Sequence, residues 1–511
     1  MLTFGDDIIR EDLRNTGDAS NIKFNNRIRS MIAEGRTIYH FGFGQPPFPV
    51  PQAIVQGLRD NADKYEYLSV PGISALREEI LKFHEHFGDF DHFTIDSLVL
   101  APRAKLILFT IMQCFNGEIL LVAPSWNSYQ PQAELSQRAT KVIVTKRENN
   151  YVPTAEDIEE ALAKMDPSKR KILIINTPNN PTGHVFTENE LKALADVCRK
   201  HEIVVISDEI YARVTLQNHH SLSKYYPEGT IVTTGFSKWP SVGGWRFGYA
   251  LFPASLRHFQ KVVSGSCSQT ITCAPTPMQY GFAQALKKLD ELEKFCTDTS
   301  TILDICGIKS EYFRHLKSVG VIGNAPEGAY YWMPDFEVVR SDYIPNCTIM
   351  CDRLLSEANV ALMPCGPHYL RPEDEFTVRF CFINFDGREA LKAIESFDGD
   401  EDKFVRQYCT PLAEGVDALK NSPSKEISEI PLKRSKRYSY QRSWKRSYYE
   451  KCSWGYDWNG RYSSPRCTKY YRDYPSYHSY PSRYDRYDRY DRYSVPYYRY
   501  VYVYPFFPWR Q

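Results

Sequence analysis

The chain has 511 residues, with 63 Lys+Arg against 62 Asp+Glu and a formal net charge of +1. That neutrality is a cancellation, because residues 431–511 hold 18 basic and 6 acidic residues (net +12) and the first 430 hold 45 and 56 (net −11). The tail also carries 20 of the 36 tyrosines but only one Leu, three Val, two Phe and no Ile, which excludes a packed core and predicts disorder: so little aliphatic surface cannot offset an ordering cost of about 1–2 kcal/mol per residue.

The N-terminus, MLTFGDDIIREDL, is acidic early and has no apolar stretch behind a basic one, so it reads as neither a secretory signal nor a transit peptide. No apolar run approaches the ~18–20 residues of a membrane helix, and the expected setting is soluble and cytoplasmic. Between residues 96 and 251, β-branched runs alternate with helical segments: 96–101, 118–123, 140–145, 171–176, 202–207, 230–235 and 246–251. Most are too continuously apolar for a sheet wet on one side, which predicts a mostly parallel seven-stranded sheet covered by helices on both faces. Thr187 with Glu190, and Thr154 with Asp157, read as capping boxes opening helices, the first running to Lys200. From Pro277 to about Ser318 one long connector helix is expected, then strand and helix candidates at 329–336, 349–359, 376–383 and 387–397 in a smaller α+β domain. A 430-residue segment exceeds the ~250–300 residues of one growing core. The expected division is an N-terminal arm and part of the small domain at 1–45, a large cofactor-binding domain at 46–275, the small domain at 276–400, and a polar linker with disordered tail at 401–511. Within that tail Tyr484-Asp485-Arg486 recurs three times in register.

Thirteen cysteines form no CxxC and are odd in number, so reduced, mostly buried thiols are expected. Cys347 and Cys351 lie four apart on a helix, but no second pair completes a metal site. His84/His86 and His219/His220 also lack partners at ligand spacing and read as surface residues, so no metal is expected.

Four signals fall in order on strand ends and loops, where ligands bind in α/β sheets. NTPNNPTG (Asn176–Gly183) follows a strand and must turn, because Pro178 and Pro181 break ladders and helices; an Asn held there can donate to a ligand oxygen. SDEIY (Ser207–Tyr211) puts Asp208 at the mouth of the sheet, where a carboxylate either caps a helix or meets a protonated ring nitrogen. GFSKWPSVGGWRFGYA (Gly235–Ala250) sets Lys238 in an aromatic, glycine-rich loop, where desolvation would lower its pKa and suit it to a Schiff base, with Arg246 eight residues on to grip phosphate. TVRFCFI (Thr377–Ile383) places Arg379 in an apolar strand, where it pairs with a core carboxylate or awaits a substrate carboxylate.

Together these motifs resemble the class I/II aminotransferases, pyridoxal-phosphate enzymes of fold type I similar to aspartate aminotransferase, over about residues 24–398. The resemblance implies that Lys238 in GFSK, beside Ser237, bears the pyridoxal 5'-phosphate cofactor and that Arg246 binds its phosphate. It makes Asn180 and Tyr211 the partners of the phenolic oxygen and Asp208 that of the pyridine nitrogen. Arg379 becomes the ligand of the substrate α-carboxylate. Trp126 in APSWNSY matches the aromatic stacked on the cofactor, Gly44 in FGFGQPPF lies near the substrate, and Tyr67 resembles a tyrosine reaching the neighbouring subunit's phosphate, which implies a homodimer with shared sites. One departure stands at Ala101-Pro102-Arg103-Ala104-Lys105, where relatives have a Gly/Ser-rich phosphate cup; Ala104 and Lys105 can still offer backbone donors at a helix start. The implied reaction moves an amino group from an L-amino acid to a 2-oxo acid. The rivals are a lyase or aminocyclopropane-carboxylate-synthase-like enzyme on the same site, and a scaffold whose basic Tyr-rich tail binds nucleic acid or another polyanion.

Overall fold

The apolar runs of the first half become strands because each can bury both of its faces. The computed structural model describes residues 8–421 except 15, 216 and 310, together with two strands at 449–453 and 466–470. A short strand β1 (Tyr39–His40) precedes the seven strands of the large sheet: β2 (Leu98–Ala101), β3 (Gly117–Ala123), β4 (Thr140–Val144), β5 (Arg170–Asn176), β6 (Val204–Asp208), β7 (Thr230–Gly235) and β8 (Gly248–Leu251). Their order is β2-β8-β7-β6-β5-β3-β4. Neighbours from β4 through β7 pair in parallel, and β8 runs antiparallel to both β7 and β2. Alternation along each strand divides the core. Leu120, Val122, Leu173, Ile175 and Val205 pack on one face, and Ile119, Leu121, Ile172, Ile174 and Ile206 on the other. Between β2 and β3, helix α1 (Ala104–Cys114) covers the second face. Helix α2 (Glu188–Lys200) covers the first, and both reciprocal capping bonds of Thr187 with Glu190 are formed. Thr154 and Asp157 cap the helix Ala155–Leu162 in the same way.

The second half adds β9 (Tyr331–Trp332), β10 (Val360–Ala361), β11 (Met363–Pro364) and β12 (Val378–Cys381). β12 lies between β11 and β9 in an antiparallel sheet, and β10 pairs in parallel with β1. One hydrophobic cluster runs through both halves, joining Leu100 and Val232 of the large sheet to Trp332 and Phe380 of the small one. The connector expected over 277–318 is three helices rather than one: Thr276–Ala285, Leu289–Asp304 and Glu311–Ser318. The first is fixed by a close crossing with Gln52–Asp60, where a Cβ on Gly57 would lie 2.3 Å from the Gly281 carbonyl oxygen. That contact is long-range and leaves no mark on local helix propensity.

The domain boundary expected near residue 400 is corrected by two further helices, α3 (Glu401–Tyr408) and α4 (Thr410–Asn421). Their Phe404, Val405, Leu412, Ala413, Val416 and Leu419 are buried in the main cluster. The segment looked polar because its outer faces are charged, yet its apolar residues recur at helical spacing. Two histidines expected at the surface are buried as well. His84 bonds through Nδ1 to Asp89 at 2.7 Å and through Nε2 to the Tyr249 hydroxyl at 2.7 Å, and His219 bonds Glu209 at 3.1 Å. Burial is possible because each has a carboxylate partner.

Beyond Asn421, Tyr449–Ser453 (β13) and Arg466–Tyr470 (β14) pair as an antiparallel ribbon with Cys452 opposite Cys467. The rest of the tail, including the repeated Tyr-Asp-Arg, lies outside the described residues. Among the described residues, no helix is long and apolar enough to cross a membrane.

Each fully buried apolar side chain of α3 and α4 contributes about 1.5–3 kcal/mol. A chain ending after Asn421 is therefore expected to keep its melting temperature within a few degrees, whereas one ending at Gly399 should be unfolded or aggregated. Circular dichroism melting of the two truncations checks this.

Candidate active site

The C-terminal ends of adjacent parallel strands deliver the polar residues to one place. Asn176 closes β5 and Asp208 closes β6, and the two are directly paired in register. Asn176 holds the following turn: its Nδ2 donates to the Asp208 carbonyl at 2.7 Å, and its Oδ1 accepts from the Asn180 N–H at 2.8 Å. Asn180, buried, thereby faces β12, whose Arg379 donates from Nη1 to Asn180 Oδ1 at 3.4 Å and from Nη2 to the Gly42 carbonyl at 2.6 Å. Lys238 follows β7 and donates to the Gly44 carbonyl at 3.1 Å, beneath the rings of Tyr211 and Tyr330. The Tyr330 hydroxyl donates to the same carbonyl at 3.2 Å, and the Tyr211 and Tyr331 hydroxyls bond each other at 2.7 Å. Gly44 must be glycine, since a Cβ there would lie 2.1 Å from the Tyr331 hydroxyl.

Charge in this site is one-sided. Asp208 is the buried carboxylate, receives the Tyr129 hydroxyl at 2.7 Å, and is raised to about 6 by burial. Lys238 acts on it directly, Arg103 and Arg379 act on Lys238, and Lys105 and Arg246 adjoin Arg103; among the described residues none of these five cations forms an ion pair with a carboxylate. Burial lowers Lys238 to about 7, helped by the charges of Arg103 and Arg379. Arg246 falls to about 10 through burial and then through Arg103, and Lys105 is lowered by burial, Arg103 and Arg246. Arg379 is buried, and among the described residues its Nε has no hydrogen-bond partner. The other four are half-buried; cations withdrawn from water without a counter-ion are costly, so the arrangement is complementary to anions, which among the described residues the chain does not supply.

At the departure noted in the sequence, the backbone takes an unusual path to keep the helix start open. Arg103 adopts φ 91°, a region that favours glycine, and α1 begins at Ala104. Gly248 lets β8 approach this point, since a Cβ there would lie 2.4 Å from the Ala104 nitrogen. The first N–H groups of α1, those of Ala104 and Lys105, are left free by helix geometry beside the Arg246 guanidinium. The Lys105 ammonium sits 5.1 Å from the centre of the Trp126 ring and donates to Ser128 Oγ at 3.1 Å.

Of the residues singled out in the sequence, Gly44, Asn180, Asp208, Tyr211, Lys238 and Arg379 converge through these contacts. Ala104, Lys105, Trp126 and Arg246 form an adjoining basic end, and Ser237 is buried next to Lys238. Tyr67 stands apart, with 88% of its surface exposed. Residues not singled out include Asn176, Tyr129, Tyr330 and Tyr331. Tyr129 lies within the quoted APSWNSY, and Tyr330 and Tyr331 form an aromatic pair in a short strand candidate, a local signal that was readable.

This combination of a seven-stranded α/β sheet with a half-buried lysine and a buried carboxylate at its strand ends, and arginines without ion-pair partners among the described residues, marks an enzyme site for anionic ligands. Residues 36–397 match the family profile of aminotransferase class I and II. Aspartate aminotransferase of Thermotoga maritima is 32% identical over 382 residues, 73% of this chain and 94% of that protein. Asparagine–oxo-acid transaminase of Streptococcus mutans is 28% identical, over 73% of this chain and 94% of that protein. Among solved structures, aspartate aminotransferase of Thermus thermophilus with maleate superposes with TM-score 0.66 and 25% identity, covering 75% of this chain and 98% of that one. The chain belongs to the class I and II aminotransferases, and it is a transferase of amino groups.

One feature of the loop carrying Asn180 is pH-sensitive. His184 bonds Glu190 through Nε2 at 3.1 Å and Glu327 through Nδ1 at 2.7 Å, tying the loop to α2 and to the segment leading into Tyr330. Burial opposes its charge, but the two carboxylates prevail and lift it to about 9. With an unfolded value near 6.5, the stabilisation is fully present below about pH 6.5 and is lost as pH rises through about 9, on the order of 2–3 kcal/mol. Denaturant unfolding from pH 6 to 10 should show that loss in the native chain and little of it in His184→Gln.

Proposed function

We propose that the site binds pyridoxal 5'-phosphate and uses it to move the amino group of a four-carbon acidic amino acid to a 2-oxo acid. The observation that carries this is a half-buried lysine lowered to about 7 in one site with a buried carboxylate raised to about 6, beside basic groups that form no ion pair among the described residues. A dianionic phosphate suits the helix start at Ala104 and Lys105 with Arg246 and Ser237. A protonated ring nitrogen suits Asp208, which burial otherwise drives toward neutrality. Asn180 and Tyr211 would hold the phenolic oxygen, Trp126 would stack on the ring, and Lys238 would hold the aldehyde carbon. Bound there, the cofactor supplies a carrier for the amino group and a sink for the electrons of the breaking C–H bond.

The chain's own residues do the rest. Arg379, with a free Nε and a planar fork, takes the substrate α-carboxylate and so orients the α-carbon. Lys238, with a neutral amine available near pH 7, would take the proton from the donor's α-carbon and, in the second half of the cycle, deliver one to the α-carbon of the acceptor. Gly44 offers its carbonyl to the Lys238 ammonium and fixes where the amine rests. Buried Tyr211, Tyr330 and Tyr331 exclude water from that proton. Of the relatives, those named aspartate aminotransferase support aspartate as donor. Arg103, close enough to depress Lys238, brings a second guanidinium for a side-chain carboxylate. Exposed Tyr67 fits a homodimer in which it reaches the partner's phosphate, in a soluble, cytoplasmic enzyme.

Purified protein should show a pyridoxal absorbance band that Lys238→Ala alters, with activity lost by several orders of magnitude. Absence of any band, with no change in Lys238→Ala, overturns the reading. Under single-turnover conditions with aspartate the cofactor should retain the amino group; keto acid with free ammonia would show a lyase instead. Asp208→Asn should lower kcat by roughly 10²–10³-fold with the protein still folded, measured by a coupled keto-acid assay.

A further inference from the structure

The helices α3 and α4 lie beyond residue 397, where the family match ends, and yet they reach toward the site. Gly415 of α4 packs directly on the segment entering the site. A Cβ there would lie 2.4 Å from Phe41 Cζ, 2.6 Å from Phe41 Cε2 and 2.8 Å from Tyr39 Cβ. One residue earlier, Glu414 accepts from the Tyr39 hydroxyl at 3.3 Å.

On its other side Phe41 stacks on Phe380 of β12, with ring centres 4.4 Å apart and planes at 19°. Its carbonyl accepts from the Cys381 N–H at 2.8 Å, and its N–H donates to Ala361 at 2.9 Å. The next residues have no slack either, because a Cβ on Gly42 would lie 2.2 Å from the Phe24 ring. This segment presents the Gly42 carbonyl to Arg379 and the Gly44 carbonyl to Lys238 and Tyr330. A line of contacts therefore runs from Gly415 through Phe41 to the carbonyls that hold two of the site's cations.

We propose that the α3–α4 pair is a positioning element of the substrate-carboxylate site and that Gly415 is the residue through which it acts. Its bare backbone sets the depth of Phe41, and Phe41 sets the reach of the Gly42 carbonyl that holds Arg379. The proposal rests on Arg379 taking the α-carboxylate. Since every amino acid carries that group, displacing Arg379 alters binding of all donors alike. The phosphate end, built from α1 and the Arg246 loop, is not on this line of contacts.

The test uses the full chain with Gly415→Ala, whose methyl must displace Phe41, and Gly415→Ala/Phe41→Leu, which makes room for it. For Gly415→Ala, KM should rise about tenfold by a common factor for every donor, with kcat within about threefold and cofactor affinity within about twofold. Hydrogen exchange of the peptide covering residues 40–46 should quicken about tenfold, and the double variant should recover both KM and exchange. If Gly415→Ala does not fold, Glu414→Ala loosens the same contact through Tyr39 and is read by the same two measurements, with KM and exchange each rising about twofold. Unchanged KM and exchange in a folded variant overturn the proposal, as does a uniform loss of kcat and cofactor affinity without a KM effect. Arg379→Lys separates the two ideas. If it leaves KM unchanged for all donors the carboxylate reading fails, while exchange at residues 40–46 still decides whether α4 positions the segment.

Discussion

Five cationic side chains share the site with the buried Asp208, none of them ion-paired among the described residues, and the rest of the site follows from that imbalance. Among the described residues no carboxylate ion-pairs with them, so the solvation lost is offset by lowering the amine of Lys238 to about 7, by aromatic faces at Tyr211, Tyr330 and Tyr331, and by main-chain carbonyls at Gly42 and Gly44. Asp208 shifts in the opposite sense and rises to about 6, through burial and, less, through Glu209 beside it.

The fold makes the imbalance tolerable by dividing its support. The parallel strands β5, β6 and β7 end side by side and supply Asn180 from the loop after β5, Asp208 from the end of β6 and Lys238 from the loop after β7. Arg379 comes from a different sheet and is held by a segment near the other end of the chain. Contacts this distant in sequence are secured by one hydrophobic cluster running from Phe41 to Leu419. The additional helices past the family match join that cluster, so the C-terminal end of the folded part supports the N-terminal wall of the site.

Much of this was legible in advance, and the reasons are local. Each strand of the large sheet coincides with a β-branched run to within two residues at either end, because burial on both faces demands uninterrupted apolar residues. Capping boxes at Thr154 and Thr187 are short-range hydrogen bonds and are read directly. Lys238, Asp208, Asn180 and Arg379 stood out as charged or polar residues in surroundings that do not suit them. The helices past residue 400 were missed because seven charged residues between Glu401 and Lys420 mask an apolar face at helical spacing. His84 and His219 were misplaced because Asp89 and Glu209, which make their burial affordable, are recognisable as partners only once the chain is folded.

The amino-acid sequence by itself determined the strand and helix content of the large sheet, the chemical types gathered at its loops, and the contrast between an acidic first part and a basic, tyrosine-rich tail. Those properties depend on side-chain type and on spacing of a few residues. Only the tertiary structure decided that Asn176 clamps the turn of Asn180, that Tyr129 meets Asp208, that Arg103 approaches Lys238, and that Gly415 touches Phe41. Each of those contacts joins residues whose meeting depends on how helices and sheets cross, and neither propensity nor periodicity carries that information.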